Sequence, residues 1–116
     1  MLPNRMQLNK TVEEQLKRLK SFTGITPNVS ARIAFFRSIE SGFRYTESEA
    51  TKLDGSLVLD KITWLGDTQL ITEQLLKLTY PKLDGRELQA AWAAHIEDGI
   101  ASLRNHKNIL ELVNSI

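Results

Sequence analysis

The segment Gly24-Ile25-Thr26-Pro27 constrains this chain more than any other feature. Glycine just past an apolar-periodic run stops a helix, because it adopts left-handed backbone without a side-chain clash. Proline suits the first position of the next helix, where its missing N–H is not needed. Thr26 stands where a cap is wanted. The result is a helix, a tight turn and a second helix. In the first helix Val12, Leu16, Leu19 and Phe22 form an apolar stripe, with Glu13, Lys17, Arg18 and Lys20 largely off it. Thr11-Val12-Glu13-Glu14 reads as a capping box, with Thr11 as N-cap and Glu14 reaching back. The second helix spreads Val29, Ala31, Ile33, Ala34, Phe35, Phe36 and Ile39 over more than one stripe, and Gly42 stops it. That spread predicts packing on two sides, the second side against a neighbouring subunit.

Residues 5–10 alternate, with Arg5, Gln7 and Asn9 on one side and Met6 and Leu8 on the other, as in a short strand. Residues 43–56 read as a polar loop. Leu57 to Trp64 reads as one or two short strands, room for a small β-hairpin. A helix over roughly 67–80 carries Leu70, Ile71, Leu75 and Leu78 and stops at Pro81. The last long helix runs from about Asp84 to Asn105, with Leu88, Ala91, Trp92, His95, Ile96, Gly99, Ile100 and Leu103 as its stripe. The tail Ile109-Leu110-Glu111-Leu112-Val113 fits either a further helical turn or a short docked strand. The 116 residues form one domain, 1–116: a mainly α, compact helical domain with a short N-terminal strand.

Strand, helix, turn and helix over 5–42 have the outline of a ribbon-helix-helix start. A lone strand leaves backbone groups unpaired, so such a unit pairs with a second copy. The ribbon then presents Arg5, Gln7 and Asn9 to base edges, and the second helix aims its amides near Thr26, Asn28 and Val29 at a phosphate. Charge points the same way. Residues 1–45 balance to +5 and residues 46–116 to −4. A basic leading half suits a polyanion. Its candidate phosphate contacts are Arg5, Lys10, Lys17, Arg18, Lys20 and Arg32, Lys17 and Lys20 being three apart on one helix.

Other chemistries find little support. With no cysteine, the chain has no disulfide, thiolate nucleophile, persulfide or thiolate-held cluster. His95 and His106 lie eleven residues apart, and Glu97 and Asp98 are expected to face away from His95, so no metal site and no cofactor are expected. No Ser-His-acid arrangement is suggested. The glycines are scattered, so no phosphate loop forms. Trp64 and Trp92 sit in apolar patterns and belong to the core. No run is long enough to span a membrane and no signal-peptide core follows Met1, so a cytoplasmic protein is expected.

Leu2-Pro3-Asn4-Arg5, Leu16-Lys17-Arg18-Leu19-Lys20, Thr23-Gly24-Ile25-Thr26-Pro27-Asn28 and Ala31-Arg32-Ile33-Ala34 together resemble the DndE family of DNA sulfur-modification proteins. The match is strongest over residues 2–42 and continues in layout toward the C-terminus. The resemblance implies a non-catalytic subunit of the machinery that replaces a non-bridging phosphate oxygen of DNA with sulfur. It implies a homotetramer, binding to double-stranded DNA with a preference for nicked DNA, a surface lysine cluster for the contact, and other modification proteins as partners, an ATPase and a sulfur-transferring protein. Two further readings remain: a ribbon-helix-helix repressor, and a scaffold subunit that touches no DNA.

Overall fold

The computed structural model describes residues 1–47 and 52–103. Its elements are β1 (Arg5–Met6), α1 (Lys10–Thr23), α2 (Pro27–Ser41), β2 (Leu59–Asp60), α3 (Lys61–Leu65), a 3-10 turn at Gly66–Thr68, α4 (Gln69–Thr79) and α5 (Gly85–Leu103). The tail at 109–113, His106 and the end of the last helix beyond 103 lie outside the described residues.

The punctuation acts as the sequence predicts. Gly24 caps α1 with φ 75°, its N–H donating to the Lys20 carbonyl. Pro27 opens α2 and Gly42 closes it with φ 87°. At the front of α1 the cap is Asn9 rather than Thr11: the Asn9 side-chain oxygen accepts from Val12 N at 2.7 Å. The helix therefore starts two residues earlier than expected, and Thr11 lies inside its first turn, where it cannot form a capping box with Glu14. Thr26 precedes α2 without a side-chain cap bond.

The first strand is shorter than the alternation suggests and finds its partner within the chain. β1 pairs antiparallel with β2, Arg5 opposite Asp60 and Met6 opposite Leu59. The unpaired backbone that called for a second copy is thus satisfied internally. Gln7 donates its side-chain amide to the carbonyls of Leu53 and Gly55 at 2.8 and 3.0 Å. Gln7 and Asn9 therefore anchor loop and helix and do not line an outward ribbon. Beyond β2 the expected second strand is helical: Ile62, Thr63 and Trp64 lie in α3.

The core forms where α5 crosses α2, with Trp64 and Trp92 edge to face at 5.5 Å. Trp64 also donates its indole N–H to the Met6 carbonyl at 2.8 Å, tying α3 to β1. Leu88, Ala91, Trp92, His95, Ile96, Gly99 and Ile100 line the buried face of α5, as the stripe predicts. Gly99 lets the two helices approach closely: an added Cβ there would overlap the Ala34 carbonyl and lie 2.7 Å from Ala34 Cα.

α4 reverses its expected face. Thr72, Glu73 and Leu76 are buried, while Leu70 and Leu78 are 71% and 79% exposed. The buried carboxylate explains the turn. Glu73 accepts from Leu2 N at 3.0 Å, pairs with Lys61 at 3.3 Å and accepts from Gln69 at 3.3 Å. Unpaired, that carboxylate would be far costlier inside than leucines are outside.

Candidate nucleic-acid interface

α1 meets the core through Val12, Glu13 and Leu16, with Leu19 partly buried beside them, and turns its opposite side to solvent. Lys10, Lys17, Arg18 and Lys20 all lie on α1 outside that buried set. Lys10 and Lys20 are about 15 Å apart along the axis, a span over which duplex DNA carries roughly nine phosphate charges. Glu14 and Ser21 lie among them. Phe22, expected in the apolar stripe, is instead 82% exposed at the end of this surface.

Lys17 has a second task. Glu13, expected off the core, is 3% exposed. Its carboxylate accepts from Leu57 N at 2.6 Å, Ser56 Oγ at 3.0 Å and Lys17 Nζ at 3.1 Å. Burial alone would raise its pKa, but these donors, led by the Leu57 N–H, outweigh burial and hold it below the usual carboxylate value. Glu13 thereby staples α1 to the segment before β2, and Lys17 offsets its charge.

The remaining two candidates are committed within the chain. Arg5 is exposed but pairs with Asp60 at 3.2 Å and donates to the Val58 carbonyl at 3.3 Å. An exposed pair of this kind is weak and opens readily to a phosphate. Arg32 is half-buried. Its guanidinium donates to the carbonyls of Trp64 at 2.8 Å and Thr63 at 3.0 Å, closing the C-terminal end of α3. Asn28 donates to the same Thr63 carbonyl at 3.0 Å. The structure thus brings Lys10, Lys17, Arg18 and Lys20 onto one helix, sets Arg5 on β1 and uses Arg32 as a clamp.

Sequence reasoning missed a second polar cluster. Ser38 Oγ lies 2.9 Å from His95 Nδ1 and 2.8 Å from Asp98 Oδ2, and Tyr80 OH lies 2.7 Å from His95 Nε2. Asp98 does not face away from His95; residues three apart on a helix share a face, and that spacing was the available signal. A carboxylate only accepts, so Ser38 donates to Asp98 and must accept from His95 Nδ1–H. His95 Nε2 then accepts from Tyr80, whose oxygen accepts from Tyr45 N at 2.7 Å. This tautomer, inferred from the hydrogen bonds, leaves no base for Ser38, which is itself 1% exposed. The chain of bonds joins α2 to α5.

His95 is fully buried, ringed by Phe35, Phe43 and Tyr80. Burial, with a smaller push from Arg44, lowers its pKa from 6.5 to about 4. The unfolded chain therefore binds the proton first, and stability present above pH 6.5 is lost as pH falls toward 4. Between pH 7 and 5 the loss is expected to be about 2 kcal/mol. Urea unfolding at the two pH values measures it, and His95→Gln should flatten the difference.

Among the described residues no group of three histidine or acidic side chains is placed to hold a metal ion. Among them, too, no helix is long and apolar enough to cross a membrane.

Comparison with known proteins gives a consistent picture. Residues 5–111 match the family model of the DNA sulphur modification protein DndE. The crystal structure of DndE from Escherichia coli B7A, described as involved in DNA phosphorothioation modification, is similar at 63% identity and a TM-score of 0.85. The match covers 90% of this chain and 100% of that one. A DndE variant with two glycine-to-lysine substitutions, described as involved in DNA phosphorothioation, is similar at 61% identity and a TM-score of 0.85, with the same coverage. Comparison with curated proteins gives no match.

Proposed function

The chain belongs to the DndE family of DNA sulphur modification proteins, and from that membership we propose that it is a non-catalytic, cytoplasmic, DNA-binding subunit of the phosphorothioation system. It holds double-stranded DNA by its phosphates and favours nicked duplex. It works as a homotetramer beside the other proteins that install the sulfur.

The observation that carries this reading is the outer surface of α1, where Lys10, Lys17, Arg18 and Lys20 stand on one rigid helix. Cations carried on a helix need no backbone ordering on binding, and phosphate neutralisation releases counterions from the duplex. Repetition of the surface in several copies raises its field. With no cysteine the subunit has no thiolate to carry sulfur, which fits a share in holding DNA and partners. The nick preference and the tetramer come from the family resemblance.

Titration of one duplex sequence, intact and singly nicked, at low salt tests the reading. Binding to both is expected, with the nicked form tighter. No binding to either would remove direct DNA contact.

A further inference from the structure

Phe22 stands apart from the other aromatic side chains. It is 82% exposed in the last turn of α1, whereas every other phenylalanine, tyrosine and tryptophan lies in the core or packs against it. Its surroundings are cationic. Arg18 stands one helical turn before it on the same face, and Lys20 lies two residues before it. The sequence carries no acidic residue between Glu14 and Glu40. Just beyond the ring the chain turns at Gly24, which is exposed, and a Cβ added there would meet nothing within 4 Å. A flat partner can therefore approach the ring and the turn together.

The geometry points to Phe22 as the side chain that stacks on a base face where a DNA duplex is interrupted. A benzyl group forms no hydrogen bond, so what it recognises is a flat apolar surface. The cations around it select a polyanion and repel the same patch of a second copy. In a nucleic acid the flat apolar surfaces are the faces of the bases, and aromatic side chains stack on them whatever the sequence. An intact duplex keeps those faces covered, and prying two base pairs apart is costly. A nick removes the backbone link across one step of one strand. That step opens at lower cost and yields a face to the ring, while Arg18 and Lys20 neutralise phosphates beside it. This inference rests on the DNA-binding reading above and assigns its nick preference to a residue.

Titration of two closed duplexes by the full chain tests it: a dumbbell capped by a hairpin at each end, and the same dumbbell with one nick. Neither has a free end, so the broken step is the difference between them. The wild type should bind the nicked form more tightly. Phe22→Ala should lower the ratio of nicked to closed affinity by about tenfold. Phe22→Trp should keep the ratio, and Phe22→Leu, apolar but without a ring, should lose it as alanine does. Lys20→Gln should weaken both complexes and leave the ratio unchanged. An unchanged ratio in Phe22→Ala, or a ratio kept by Phe22→Leu, overturns the assignment and leaves DNA binding standing. So does a wild type that binds both dumbbells equally, which also removes the nick preference. A changed mass in solution for Phe22→Ala would put the ring in a protein contact and overturn the assignment as well. Binding of the wild type to neither dumbbell removes the DNA-binding reading itself.

Discussion

Gly99→Ala is expected to destabilise the protein by about 3 kcal/mol or more. In an isolated helix the same change would help, by roughly 0.5–1 kcal/mol, because alanine loses less backbone freedom. Here the added methyl meets backbone rather than a flexible side chain: Ala34 of α2 stands against Gly99 with its carbonyl and Cα. Backbone in the middle of a long helix cannot move locally, so α2 and α5 must separate along the crossing that holds the core. Their separation also stretches the Ser38–His95 and Ser38–Asp98 bonds at 2.9 and 2.8 Å. Against a total stability of roughly 5–15 kcal/mol, this is a large share. Urea denaturation should show the midpoint falling with an unchanged slope. Ala101→Ser, at an exposed position of the same helix, should be nearly neutral.

The second large effect is expected in DNA affinity. Lys10→Glu, Arg18→Glu and Lys20→Glu together, with Lys17→Gln, should weaken duplex binding by about a thousandfold at low salt. The choice at position 17 matters. A glutamate there would face the buried Glu13 carboxylate, which Lys17 now approaches at 3.1 Å, and loss of fold would mask the binding effect. The other three side chains lie on the solvent side of α1, so the melting temperature should stay within a few degrees. Arg32→Ala should behave in the opposite way. It removes the donors to the Trp64 and Thr63 carbonyls and lowers stability, because its guanidinium is spent on α3.

Features set by local backbone chemistry were legible in the sequence. Gly24, Pro27, Gly42 and Pro81 act through their own φ or missing N–H, so their effect needs no distant partner. The stripe of α5 and the burial of Trp64, Trp92 and His95 also read correctly, because one continuous apolar face leaves little choice. What failed depends on contacts across long stretches of chain. Glu13 is buried because Ser56 and Leu57, more than forty residues away, supply its donors. α4 turns Leu70 and Leu78 outward because Leu2 and Lys61 satisfy Glu73 on the inside. β1 looked unpartnered because β2, at Leu59–Asp60, is only two residues long and carries no alternation of its own. Of the six basic residues read as candidate phosphate ligands, Lys10, Lys17, Arg18 and Lys20 stand together on α1. Position along a helix was predictable there, whereas the clamp made by Arg32 required α3 to exist as a helix.

The dependence of duplex affinity on salt tests the role of α1 most directly. Cations that touch phosphates release counterions, so the logarithm of the binding constant should fall linearly with the logarithm of salt concentration. Replacing Lys10, Arg18 and Lys20 should make that slope shallower by about one for each phosphate the protein no longer neutralises. An identical slope and affinity in the wild type and the charge-reversed protein, both folded, would contradict a DNA interface on α1.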